Sequence, residues 1–325
     1  MKKIITAVKP TGASMHLANL MGAVLPFEKV AKGNDAAIFI ADLHALTSVK
    51  DGKTLEAQSL EVAMEYFAIF GIDTPITIFR QSDIVNITKL MWILMNVTAY
   101  SLMLRAHSFK DAQNKKNDIN MGVFNYPILM AADILGYGIE VVPVGKDQLQ
   151  HLEMARDIAR NFNKTYKTQL FVEPEAFVDK KVATISGTDG RKMGKSNDNF
   201  IGIFDDEKKL KKTIASIKTD SCGIDEKKNP DTCTVFSLIS VFGEEDEVKE
   251  IRKKYESENI GFGYGHAKNM LFDILNRKIK PYREARENLL NHPGKVEARL
   301  QEGAKKMNAR LDAFMQEVIK ITGIK

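Results

Sequence analysis

The chain has 325 residues, 44% of them hydrophobic and 27% charged, a balance that excludes a disordered polymer and supplies apolar mass for a large core, expected to be split over two domains. No run approaches the ~18 apolar residues of a membrane-spanning helix, and the N-terminal stretch meets Pro10 and Gly12 before it can form the apolar region of a signal peptide. The two cysteines, Cys222 and Cys233, are too few for a disulfide framework or a CxxC-type metal cluster and read as free thiols, so a reduced, cytoplasmic protein with no membrane partner is expected.

The net charge of +5 is unevenly spread, with 16 Lys/Arg against 9 Asp/Glu over residues 251–325 and a slightly acidic remainder. A basic C-terminal quarter suits a nucleic-acid partner, and it equally suits a solvated helical surface.

Short apolar runs at residues 4–8, 36–41, 76–79 and 140–144, bounded by Gly, Asp or Pro, read as buried strands. Between them, residues 17–31, 54–70, 83–104 and 126–137 carry helical patterning. Strands alternating with helices predict an α/β fold with a parallel sheet covered on both faces. Ligands of such sheets lie beyond the carboxyl ends of the strands, so segments following Val8, Ala41 and Val144 are expected to converge. Residues 108–118, polar and lysine-rich, read as a surface loop. Beyond about residue 200 the strand signal fades, and residues 205–217, 234–242, 247–257, 265–291 and 295–321 read as helices, with Pro293 and Gly294 separating the last two.

Four segments carry candidate chemistry. Pro10-Thr11-Gly12-Ala13-Ser14-Met15-His16-Leu17-Ala18-Asn19 leads from the first strand into a helix N-terminus, where free N–H groups and the helix dipole favour an anion. His16 and Asn19, three apart, share a helical face; a plain strand–helix loop capped by Ser14 fits the same residues. In Tyr126-Pro127-Ile128-Leu129-Met130-Ala131-Ala132-Asp133-Ile134-Leu135, a carboxylate stands among apolar neighbours, which is expensive unless it has a partner. Tyr126, Met130 and Asp133 fall on one face of that helix.

Val144-Gly145-Lys146-Asp147-Gln148-Leu149-Gln150-His151 ends a strand at a glycine that permits close backbone approach, then opens a helix on an acid and an amide. Asp147 is also a natural helix cap. Arg191-Lys192-Met193-Gly194-Lys195-Ser196 follows a Gly-Thr-Asp-Gly turn and forms a cationic loop able to fold over polyphosphate, or simply an exposed basic loop.

Together and in this arrangement the segments resemble the class I aminoacyl-tRNA synthetases, with residues 10–19 matching the HIGH motif and 192–196 the KMSKS loop. Within that class the chain is similar to the tryptophanyl-tRNA synthetase family through YPILMAADIL at 126–135, VPVGKDQLQHLEMARDIARNFN at 142–163, DLHALT at 42–47 and TDS at 219–221. The tyrosyl enzymes and the small nucleotidyltransferases, which share the HIGH-type loop, fit these segments or the long basic helical C-terminal region less well.

The resemblance implies a Rossmann-like catalytic domain over residues 1–199 and an all-helical anticodon-binding domain over 200–325. It implies ATP-dependent adenylation of L-tryptophan and transfer to tRNA(Trp) by a homodimer, with Mg²⁺ held mainly by the phosphates of ATP and no metal ligands from the protein. His16, Lys192 and Lys195 would be catalytic. Lys9, Pro10, Thr11, Ala18, Asn19, Gly145, Lys146, Asp147 and Ile185 would line the ATP site, with Lys192, Met193, Gly194, Lys195 and Ser196 closing on the phosphates. Asp133 would accept the indole N–H, Tyr126 and Gln148 would orient the amino group, and His44, Met130, Val142, Val144 and Ile5 would wall the pocket. Ala18 stands where the family usually has glycine, and Gly194 where it commonly has serine.

Overall fold

The computed structural model describes residues 1–12, 14–114, 119–145, 148–178 and 185–324. In chain order these form β1 (Lys3–Val8), α1 (Leu17–Asn19), a π-helical turn (Leu20–Val24), α2 (Leu25–Ala31), β2 (Asp35–Ile40), α3 (Asp42–Ala45), α4 (Gly52–Phe70), β3 (Thr77–Arg80), a 3₁₀ turn (Gln81–Asp83), α5 (Ile87–Met95), α6 (Tyr100–Leu104), α7 (His107–Asn114) and α8 (Met121–Leu135). They continue as β4 (Val141–Pro143), α9 (Leu149–Thr165), β5 (Glu175–Phe177), a 3₁₀ turn (Lys195–Asn197), α10 (Glu207–Ala215), α11 (Thr234–Phe242), α12 (Glu245–Glu256), α13 (Tyr264–Leu290) and α14 (Pro293–Thr322).

By contacts the chain divides into two compact units, one of residues 1–12, 26–180 and 292–325, the other of 13–25 and 181–291. The first holds a five-stranded parallel sheet in the order β3-β2-β1-β4-β5. Its central residues Ile4, Ile5, Ile38, Phe39, Ile40, Ile78 and Phe79 are buried on both faces, as an all-parallel sheet requires. From β1 the chain winds to β2 and β3 on one side, then returns to β4 and β5 on the other. That reversal leaves a crevice at the carboxyl ends of β1 and β4, flanked by those of β2 and β5.

The four strands expected from the sequence are present; β5, three residues at the sheet edge, is the one whose pattern is too short to read. The helix expected over 83–104 is two helices, because Asn96 and Thr98 turn their side chains back onto the carbonyls of Trp92 and Leu94 at 2.7 Å each and compete with the backbone ladder. Residues 108–118, expected as a loop, begin as α7. α8 starts five residues before Tyr126, where Asn120 caps it by accepting from the Val123 N–H at 3.0 Å.

The sequence suggested one boundary near residue 199, yet α14 returns to the sheet unit. Its buried residues Val296, Leu300, Ala304, Met307, Leu311, Met315 and Val318 recur every three or four positions and form a single stripe, each large side chain contributing about 1.5–3 kcal/mol on burial. Three of its six basic residues are spent inside this unit as well. Arg299 donates to the Ile72 carbonyl at 2.9 Å, Lys306 to Thr77 Oγ1 at 2.9 Å, and Arg310 pairs with Asp35.

The second unit is helical, with α13 packed against α10 and α11 around Leu210, Phe236, Ile239, Tyr255 and Leu271. Cys233 is buried in it with its Sγ 3.5 Å from the Tyr255 hydroxyl, and both cysteines are free thiols. No helix among the described residues is long and apolar enough to cross a membrane.

Within the sheet unit α14 meets β3 at Gly303, where a Cβ would lie 2.9 Å from the Ile78 carbonyl carbon and closer still to its oxygen. Gly303→Ala is therefore expected to destabilise the protein by about 1–3 kcal/mol, the usual cost of overpacking, read as a lower midpoint in urea unfolding. An unchanged midpoint would contradict this packing.

Candidate functional site

Five elements of the sheet unit present polar side chains at its carboxyl edge. Asp133 on α8 is 2% exposed among Ala131, Ala132, Ile134 and Leu135, all buried. Its Oδ2 accepts from Gln81 Nε2 at 2.7 Å and from His44 Nε2 at 3.0 Å. Burial pushes its carboxyl upward, the hydrogen bonds and charge of His44 and the bond from Gln81 act against that, and the Asp42 carboxylate adds to the rise.

The partners are themselves held. Gln81, buried just after β3, uses its Oε1 to accept the His44 backbone N–H at 3.3 Å. Asp42, at the start of α3, accepts from the Ser82 backbone N–H at 2.9 Å and from the Ser82 hydroxyl. The ends of β2 and β3 are thus tied to each other and to the carboxylate on α8.

Next to this cluster, Tyr126 meets the His44 ring edge-on at 5.9 Å. Its hydroxyl lies 3.0 Å from His151 Nε2, and His151 Nδ1 lies 3.1 Å from Gln148 Oε1. An amide oxygen only accepts, so Nδ1 carries the proton and Nε2 receives the one from tyrosine. After β1, Lys9 Nζ donates to Thr47 Oγ1 at 2.9 Å, and Thr47 in turn donates to the His44 carbonyl at 2.8 Å. Burial lowers the Lys9 pKa. Pro10 is buried, and Thr11 and Gly145 are exposed. Ile5 and Val142 belong to the core, with Met130 and Val144 packed against it half-buried. Lys146 and Asp147 lie outside the described residues.

The second unit carries the other group of predicted residues. His16 caps α1: its Nδ1 accepts from the Asn19 N–H at 3.3 Å, while Asn19 Oδ1 accepts from the His16 N–H at 3.2 Å. Backbone bonds from Leu17 N to the Ile201 carbonyl and from Ile203 N to the Met15 carbonyl, both 3.0 Å, fasten the segment. Ala18 is half-buried. Burial first, then the charge of Lys195, lowers the His16 pKa to about 4. The imidazole is neutral at pH 7, and with Nδ1 accepting, Nε2 carries the hydrogen.

The cationic segment belongs to a tight hairpin in which Ser186 faces Lys192 and the Met193 N–H reaches the Ile185 carbonyl at 2.9 Å. Ile185 and Met193 are buried, whereas Lys192, Lys195 and Ser196 are exposed. Asn199, 2% exposed, is its anchor: Oδ1 accepts from the Gly194 N–H at 3.0 Å, and Nδ2 donates to Asp189 Oδ1 at 2.7 Å and to the Lys192 carbonyl at 3.1 Å. The Asn199 amide, and then Arg191, hold the Asp189 carboxyl down at about 2. A Cβ on Gly187 would collide with the Asn199 side chain, so only glycine fits there.

Gln81, Ser82, Asp42, Thr47, His151 and Asn199 were not singled out from the sequence. Gln81 and Ser82 follow a strand of the parallel sheet, so the rule applied to Val8, Ala41 and Val144 also points to them when extended to β3. Asn199 has no such signal, since asparagine in a polar loop is ordinary.

The chain matches the family model for class I tRNA synthetases (W and Y) over residues 2–279. It is 39% identical over 323 residues to a tryptophan–tRNA ligase of Campylobacter jejuni, covering 99% of this chain and 100% of the relative. It is 40% identical over 325 residues to a tryptophan–tRNA ligase of Fusobacterium nucleatum, covering 100% and 98%. Among solved structures it is similar to tryptophanyl-tRNA synthetase from C. jejuni in complex with ADP and tryptophan, with a TM-score of 0.94, 38% identity, and 99% and 100% coverage.

Two outcomes follow from the geometry of the second unit. His16, whose folded pKa of about 4 lies below the usual 6.5 of histidine, lends stability that is full above the upper value and is lost as pH falls toward the lower one. An NMR titration should find its imidazole still neutral at pH 5.5, and a midpoint near 6.5 would overturn the burial argument. Asn199→Ala removes three hydrogen bonds from the hairpin, and hydrogen exchange over residues 192–196 should accelerate by about tenfold or more, given roughly 1 kcal/mol per bond.

Proposed function

This chain belongs to the class I tRNA synthetases of the W and Y type, and from that premise we propose that it is a tryptophan–tRNA ligase. It activates L-tryptophan with ATP to the adenylate and pyrophosphate, then transfers the amino acid to tRNA(Trp). The observation that carries this reading is the buried Asp133, in a chain that matches tryptophan–tRNA ligases from end to end. A phenylalanine side chain would leave the carboxylate without its donor, and sites built around one donor reject analogues that lack it.

We assign the roles as follows. Asp133 accepts the indole N–H, Tyr126 and Gln148 orient the amino group, and His44, Met130, Val142, Val144 and Ile5 shape the pocket. Lys9, Pro10, Thr11, Ala18, Asn19, Ile185 and Gly145, together with Lys146 and Asp147, take the nucleotide, Asp147 at the ribose. The tryptophan carboxylate attacks the α-phosphorus, the bond to the bridging oxygen breaks, and pyrophosphate leaves with the electron pair. Catalysis is then positioning and charge stabilisation. Neutral His16 offers its Nε2 hydrogen to phosphate oxygen, and Lys192 and Lys195 neutralise the departing pyrophosphate, with Met193, Gly194 and Ser196 completing the loop. Mg²⁺ bound together with ATP would add positive charge at the phosphates.

We assign residues 1–199 to catalysis and α10 to α13 to holding the anticodon end of tRNA; α14, although beyond residue 200, belongs with the sheet unit. We also propose a cytoplasmic homodimer. Supporting the dimer, the sheet unit leaves Val85, Trp92, Tyr100 and Met121 between 66% and 77% exposed, and aromatic and methionine side chains are enriched in subunit interfaces.

ATP–pyrophosphate exchange should be supported by tryptophan and not by tyrosine or phenylalanine. Asp133→Ala should lower the tryptophan rate and narrow the preference over phenylalanine by about 5- to 150-fold, the range for one buried group losing its partner. Exchange unchanged by that substitution would refute the role of Asp133. Light scattering at micromolar concentration should give twice the 36.4 kDa chain mass, and a monomer would refute the dimer.

A further inference from the structure

The Asp133 carboxylate has two oxygens, and the structure uses them unequally. Both of its hydrogen bonds fall on Oδ2, from Gln81 at 2.7 Å and His44 at 3.0 Å, while Oδ1 receives none among the described residues. A carboxylate has about four lone-pair positions, and a side chain free to rotate would present either oxygen to a ligand. Here Gln81 and His44 fix the rotation.

Of these two, Gln81 is the more constrained. It is 1% exposed, and its amide is used at both ends: Nε2 donates to Asp133, and Oε1 accepts the backbone N–H of His44. Reversing the amide would set its oxygen against the carboxylate and its NH₂ against an N–H, so only one orientation satisfies both contacts. The adjoining Ser82 is clamped to Asp42 through its backbone N–H and its hydroxyl, which fixes the 3₁₀ turn that carries Gln81.

We propose that Gln81 is a specificity-positioning residue: by holding Oδ2 of Asp133 from behind, it commits Oδ1 to a single N–H donor of the substrate, the indole N–H. This rests on tryptophan being the substrate. Gln81 need not touch the amino acid; it acts through Asp133. Its loss frees the carboxylate to turn and removes a donor that favours the charged form, so the site still holds an aromatic ring but no longer distinguishes a ring with an N–H from one without.

The test compares tryptophan with its sulfur isostere, in which benzothiophene replaces indole, by ATP–pyrophosphate exchange. Gln81→Met, similar in shape but with neither donor nor acceptor, should lower kcat/KM for tryptophan by about tenfold or more, mainly through KM, as for a lost hydrogen bond to a charged group. The isostere should change much less, so the ratio between them shrinks, and KM for ATP should stay as in the unaltered enzyme. Gln81→Glu keeps the acceptor for His44 but opposes a second carboxylate to Asp133, and it should reduce tryptophan activity further than Gln81→Met. A purely structural role would lower both substrates in parallel and rank Gln81→Glu as the milder change.

A tryptophan-to-isostere ratio that Gln81→Met leaves unaltered overturns the inference. If that variant fails to fold, Ser82→Ala, which releases the turn and keeps the glutamine, carries the same comparison with a smaller narrowing, and an unchanged ratio there overturns it equally. Failure of the unaltered enzyme to use tryptophan overturns the underlying reading as well, and so is distinguishable from failure of the role of Gln81 alone.

Discussion

A carboxylate enclosed in an apolar helix is the constraint around which the sheet unit is arranged. Without partners, Asp133 would bear the several-kcal/mol cost of a buried polar or charged group. The chain meets that cost with groups from separate elements: His44 from α3, which follows β2, Gln81 from the turn after β3, and behind them Asp42 and Ser82. Because each partner also holds a neighbour, the ends of two strands and one helix are set in a fixed relation. The carboxylate specifies where those elements lie, and they in turn specify which of its oxygens is available.

The helical unit handles charge in the opposite way. Its His16 is kept uncharged by burial, with Lys195 adding to that effect, and its capping bond leaves the other nitrogen as a donor. Its lysines at 192 and 195 stay exposed, while the loop that carries them is anchored at its base by the buried Asn199.

The distribution of positive charge gains a second meaning. Read along the sequence, the basic C-terminal quarter suits a nucleic acid. In the fold, Arg299, Lys306 and Arg310 of α14 are engaged with Ile72, Thr77 and Asp35 of the sheet unit, so part of that charge holds the last helix in place. On α13 as well, Arg277 and Lys278 pair with Glu247 and Glu244 of α12 and its N-cap, so part of the positive charge there also serves the fold.

The sequence by itself determined the α/β class and four of the five strands seen among the described residues, and it singled out Asp133, Tyr126, His16 and the lysine loop as candidates. It did so because hydrophobic period and the cost of an acid among alanines and leucines are local properties. Only the tertiary structure decided that α14 rejoins the sheet, that residues 13–25 pack with residues beyond 180, and that Gln81, Ser82, His151 and Asn199 are the partners that hold the chemical groups still. Those residues are polar side chains in turns or helices, ordinary in their own neighbourhoods. Their significance comes from hydrogen bonds to residues distant in sequence or to backbone atoms brought near by the fold, and no local pattern encodes such a pairing.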